Sequence, residues 1–135
     1  MKVNIIVLIL CLALLCSNLW ALAEPFSLAP EKIDEQKIFW GTPTKFNKPA
    51  LVRFEEIIQA TPEFSGIKER KIESGTAKYW IMLSKASERA VRTIQAVAQE
   101  SQFDLVAEFN YWQNTGEQIP AEDITQKVLE HFGQK

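Results

Sequence analysis

The side chains able to do chemistry are few, and their spacing does not gather them. His131 is the one histidine. It has Glu130 beside it but no further ligand at metal-binding spacing, so it reads as a surface residue near a helix C-terminus. Ser84 and Ser87 stand on a basic segment with no histidine near them in sequence. No HExxH, CxxC, GxSxG or glycine-rich phosphate loop occurs. Glu122 and Asp123 read as helix-start residues, and Asp104 and Glu108 as the solvated side of a strand rather than an acid–base pair. The expectation is a non-enzyme with no metal and no cofactor. What does recur is a set of cations interleaved with aromatics: Lys68, Arg70, Lys71, Lys78, Tyr79, Trp80, Lys85, Arg89 and Arg92. Cations draw acidic or anionic partners, and the rings supply apolar contact area.

The element that must position these groups is one long helix. In Thr76–Ser101, Tyr79, Met82, Leu83, Ala86, Ala90, Val91, Ile94, Val97 and Ala98 share a stripe at helical spacing. Lys78, Lys85, Glu88, Arg89, Arg92, Gln95 and Gln99 fall mostly opposite. Thr76 is a candidate N-cap, just after Gly75. Upstream, Thr61-Pro62-Glu63 signals another helix start, with Phe64, Ile67 and Ile72 as apolar markers up to about Ser74. The two helices make a hairpin over 62–101.

Around the hairpin, Ala50–Phe54 reads as a short strand after Pro49, and Glu55–Ala60 as a turn or two of helix with Ile57 and Ile58 inward. Residues 103–112 alternate apolar and polar as a half-buried strand. Asp123 can start a last helix carrying Ile124, Val128, Leu129 and Phe132, with Gly133 at its end. The expected class is α+β: a small β-rich body, a projecting helical hairpin and a short C-terminal helix. Residues 24–48, punctuated by Pro25, Pro30 and Pro43, read as a loosely ordered N-terminal extension. The aromatics around Phe39-Trp40 would dock either on the chain's own body or on a partner.

Lys2, the apolar run Ile5–Leu15 and the small-residue site Ala21-Leu22-Ala23 predict a cleavable secretory signal over residues 1–23. An uncleaved anchor, or a lipoprotein signal at Cys16, remains the alternative. Cleavage would leave 112 residues, 24–135, and would remove Cys11 and Cys16, so no disulfide scaffold is expected. The remaining charge is −3, from 14 cations after loss of Lys2 and 17 acids. It is unevenly spread: residues 68–92 hold seven cations against three acids, and residues 93–135 two against seven. Export and net negative charge argue against nucleic acid as a partner.

Residues 88–112, ERAVRTIQAVAQESQFDLVAEFNYW, followed by IPAEDITQKVL at 119–129, resemble the Skp/OmpH family of periplasmic chaperones. The matching features are Ala96-Val97-Ala98 at the foot of a basic helix, Asp104-Leu105-Val106, and Asp123-Ile124-Thr125 with Val128-Leu129. The resemblance implies a Skp/OmpH-like domain over 49–135. It would be a homotrimer built on a β-rich body that includes Leu51, Phe54, Leu105, Val106 and Phe109. Its arms would hold unfolded outer-membrane proteins in the periplasm, with an anionic membrane surface as a further partner. The hairpin here is shorter than the family's arms, and the chain is acidic where the family is basic. The alternative is a non-catalytic structural or adaptor protein of the cell envelope that keeps the oligomeric body without holdase activity.

Overall fold

A computed structural model of the chain describes residues 24–133. The expected signal peptide, with both cysteines, lies outside them. The elements run β1 (Ile38–Gly41), β2 (Pro49–Val52), α1 (Phe54–Gln59), α2 (Pro62–Glu69), α3 (Ala77–Glu100), β3 (Leu105–Glu108), α4 (Phe109–Asn114), β4 (Glu122–Asp123) and α5 (Thr125–Phe132). The class is α+β, with five α-helices and one four-stranded mixed sheet among the described residues.

The strands lie in the order β1-β3-β2-β4. β2 pairs in parallel with β3 on one side and β4 on the other, and β1 closes the far edge antiparallel to β3. Two parallel neighbours need long crossovers. The α1–α3 segment supplies one and the α4 segment leads into the other. Both faces of the sheet are therefore covered. One core joins Ala50, Val52 and Val106 to Ala90, Ile94 and Val97 of α3, Ile57 of α1, and Ile124 and Val128 near α5. The other joins Leu51, Leu105 and Ala107 to Leu28, Phe46 and Trp112.

Two-sided coverage changes three expectations. The strand expected over 103–112 stops at Glu108, whose carboxylate accepts the Tyr111 amide at 2.7 Å and caps α4. Alternation fails within β3 as well, because Val106 is as fully buried as Leu105 and Ala107. The strand expected at 50–54 ends at Val52, and Phe54 opens α1 instead, stacked on Phe39 with centroids 4.5 Å apart. The N-terminal extension is an integral layer: β1 completes the sheet, and Leu28 and Phe46 fill the second core. Trp40 donates its indole N–H to the Phe103 carbonyl at 3.0 Å. The docking on its own body expected for these aromatics is what the chain does.

The starts expected at Thr61 and Thr76 are the observed N-caps of α2 and α3. Thr61 Oγ1 accepts from the Phe64 amide and Thr76 Oγ1 from the Tyr79 amide, each at 3.2 Å. The end of α2 is different. It stops at Glu69 rather than near Ser74, because Lys71 takes a left-handed φ of 49°. The Ile72 amide then bonds the Ile67 carbonyl, and the Lys71 amide the Lys68 carbonyl, the pattern of a Schellman cap.

Candidate functional site

α3 has 24 residues and spans about 36 Å at 1.5 Å per residue. Its buried residues are Ala86, Ala90, Ile94, Val97 and Ala98, all in its C-terminal two-thirds, which is laid on the sheet. The hairpin of 62–101 therefore does not project as a whole. Only its outer end, the first turns of α3 with the close of α2, stands away from the core. α2 runs along one flank of α3 in this region. Gly66 lets the two approach: a Cβ placed there would sit 3.0 Å from the Met82 methyl.

The outer end gathers most of the residues picked out in the sequence. Trp80 is 57% exposed and Ile81 56%, and Trp80 meets the Tyr79 ring edge-on at 5.3 Å. Lys68, Arg70, Lys71, Lys78 and Lys85 of the same hairpin segment are all exposed. Lys68 lies over the Phe64 ring at 5.1 Å, and none of the five forms an ion pair among the described residues. Ile81 was missed because it lies off the apolar stripe. Its isolation on the polar side was the available signal: a large aliphatic there has no core to fill.

Arg89 departs from its expected role as a client-binding cation. Its Nε lies 2.8 Å from both Glu63 carboxylate oxygens, and a terminal nitrogen is 2.6 Å from one. The hydrogen bond from Arg89 holds the Glu63 carboxyl below its ordinary value against the opposing effect of burial, and raises Arg89 in turn. Arg89 is thus a clamp between α2 and α3. Arg92, one turn on, remains exposed and borders a cleft of about 440 Å³ with Pro62, Thr93, His131 and Phe132. His131 Nε2 lies 3.7 Å from Glu100.

The residues expected in an oligomer body sit differently. Leu51, Leu105 and Val106 are buried within the single chain, and only Phe54 and Phe109 keep partial exposure. Asp104, expected as solvated strand surface, accepts the Asn47 and Lys48 amides at 2.7 and 2.8 Å. Glu122 and Asp123, expected as helix-start residues, form β4 instead: the N-cap of α5 is Ile124, and Asp123 accepts the Thr125 amide and hydroxyl from one residue further out.

Among the described residues, no three His, Cys, Asp or Glu side chains come together as metal ligands, and no helix is long and apolar enough to cross a membrane. What the outer end can do chemically is bind: it exposes two large apolar side chains on a segment where exposed cations outnumber exposed acids. Comparison with protein-family models, with curated proteins and with solved structures returns no match to this chain.

Proposed function

We propose that this chain is an exported, non-catalytic polypeptide-binding protein of Skp/OmpH-like type, which holds non-native envelope proteins at the outer end of its hairpin. The observation that carries the reading is the exposure of Trp80 and Ile81, successive residues of α3, on a hairpin segment that also exposes Lys68, Arg70, Lys71, Lys78 and Lys85. Burying such a pair against a client releases water from apolar surface, at about 25 cal/mol per Å². The cations add attraction to acidic segments and to anionic membrane surfaces. Each contact is weak, so holding depends on several at once.

The test uses a urea-unfolded outer-membrane β-barrel protein diluted into buffer with the 24–135 chain. The expected result is suppression of light scattering at near-equimolar ratio. That suppression should be reduced severalfold by Trp80→Ser with Ile81→Ser, and should weaken with salt. Unchanged scattering sinks the holdase reading.

The second reading, a structural or adaptor protein of the envelope, draws on the brevity of the arm. α2 has only 8 residues, and an arm of that reach encloses little space. A homotrimer belongs to both readings by resemblance, with Phe54 and Phe109 as the body residues still open to a neighbour.

A further inference from the structure

We infer that the cleft between α2, α3 and α5 is a binding site for an apolar monocarboxylate, which sets its carboxylate on Arg92 and its apolar body against Ala96 and Phe132. The site lies toward the foot of α3, apart from the outer end of the hairpin, and does not rest on the holdase reading.

Three helices build the cleft. α3 contributes Thr93 and Ala96, α2 contributes Pro62, and α5 contributes His131 and Phe132. Thr93, Ala96, His131 and Phe132 are half-buried. A volume of about 440 Å³ is in the size range of small-ligand sites. Charge then fixes the sign of the ligand. Among the described residues, the lining holds Arg89, Arg92 and His131 and no acid. Arg92 is the one cation singled out in the sequence that neither the outer end nor the Glu63 clamp uses. It forms no ion pair among the described residues, although Glu88 lies one turn back on the same helix. Glu63 is drawn below its ordinary value first by the Arg89 hydrogen bond and, less strongly, by the charge of Arg92. Two arginines thus stand near one carboxylate, and Arg89 already holds both of its oxygens.

The donors left over narrow the ligand further. Thr93 Oγ1 donates to the Arg89 carbonyl at 2.9 Å, so its proton is spent. Arg89 turns its Nε and a terminal nitrogen to Glu63. His131 Nε2 lies 3.7 Å from Glu100. Arg92 remains, and its planar fork matches the two oxygens of a single carboxylate. A phosphate carries more oxygens and more charge, and would need donors that Pro62, Ala96 and Phe132 cannot supply. Those same three side chains favour an apolar body, at about 25 cal/mol per Å² removed from water. A carboxylate joined directly to an apolar group comes from two sources: the C-terminus of a polypeptide with an apolar last residue, or a fatty acid.

The experiment is a titration of the 24–135 chain, read through its backbone amide shifts by NMR. The probes are N-acetylphenylalanine, for a polypeptide end, and decanoate, for a fatty acid. The amides of Thr93, Ala96 and Phe132 should move saturably with at least one of them, and the probe that moves them assigns the source. N-acetylphenylalaninamide and decanol keep the apolar body without the charge, and should bind about tenfold more weakly. Arg92→Gln should weaken carboxylate binding by a similar factor with the melting temperature unchanged. Arg92→Lys keeps the charge without the fork and should recover only part of the affinity. Ala96→Leu should fill the cleft and abolish binding, while Arg70→Gln at the outer end should leave it as it was. The site is overturned by the absence of saturable shifts with both probes, or by equal affinity for the neutral analogues. It is overturned equally by an Arg92→Gln chain that binds as before, by shifts gathered around Trp80 and Ile81 instead, or by displacement with an equal concentration of inorganic phosphate. A chain that binds a probe in this way yet suppresses no aggregation upholds the site and sinks the holdase reading alone.

Discussion

Arg89 holds both carboxylate oxygens of Glu63 from its Nε, at 2.8 Å each. This joins the first turn of α2 to the middle of α3, 26 residues on. The clamp lies where the hairpin leaves the body; beyond it α2 and α3 approach at Gly66 and Met82, and Ile67 beside Gly66 is buried.

The clamp sets a pH dependence. Glu63 titrates below its ordinary value in the folded chain, mainly through the Arg89 hydrogen bond. A lowered carboxylate value means that the unfolded chain binds the proton first. The contribution is therefore complete above the ordinary value of 4.5, and is lost as pH falls through the lowered folded value. Glu63→Gln should cost about 1 kcal/mol or less near neutral pH, since Arg89 is partly in water. The variant and the natural chain should converge in stability at acid pH. Urea melts at a series of pH values check this; a gap that persists at acid pH contradicts it.

Asp104 anchors the N-terminal layer to the sheet. Its two oxygens take the Asn47 and Lys48 amides, and its own amide bonds the Lys48 carbonyl. Asp104→Ala removes two charge-assisted bonds and should cost roughly 2 kcal/mol. Hydrogen exchange should show faster amides at Asn47 and Lys48, with those of α3 unaffected while the fold holds.

How much of this was legible depended on whether the deciding interaction was local. Thr61-Pro62-Glu63 and Gly75-Thr76 carry their meaning within four residues, and both helix starts fell where those residues put them. The strip 103–112 misled because Phe109, Tyr111 and Trp112 have β-favouring side chains. The deciding event was a cap by Glu108, and glutamate is not among the usual capping residues. Residues 24–48 have no period at all. Their order comes from partners far along the chain, Phe46 with Trp112 and Trp40 with Phe103, and β1 has only 4 residues with an irregularity between Ile38 and Trp40. At the candidate site the cations were visible, but not that Arg89 is consumed by Glu63 while its neighbours stay free. That distinction needs the position of α2.

Gly41 closes β1 against β3 and tolerates no side chain. It has φ of 84°, and a Cβ there would lie 1.9 Å from the Asp104 carbonyl oxygen. The obstacle is backbone, which cannot swing aside. Gly41→Ala should cost roughly 3 kcal/mol or more and strip β1 from the sheet. Thermal melts read the loss. The Trp40 fluorescence of the 24–135 chain, which lacks Trp20, should also shift as its indole leaves the Phe103 carbonyl, provided Trp80 and Trp112 are first replaced by Phe.

Lys71 and Gln102 offer the opposite change. Each ends a helix in the left-handed region, at φ of 49° and 59°. Each is followed by the same closing bond, from Ile72 to the Ile67 carbonyl and from Phe103 to the Ala98 carbonyl. A side chain in that region costs about 1 kcal/mol that glycine avoids. Glycine also loosens the unfolded chain, which takes back part of the gain. The net for Lys71→Gly and for Gln102→Gly should be stabilisation of about 0.5 kcal/mol each, or ~2 °C in melting temperature for a domain of this size. The two sites lie at opposite ends of α3 and share no partner, so the double variant should add. The variants should part company in function. Lys71→Gly removes one cation from the outer end and should weaken binding of an acidic client slightly, with a shallower salt dependence. Gln102→Gly lies at the foot and should leave binding as it was. Equal effects of both on client binding would mean that the cations of the outer end do not steer it.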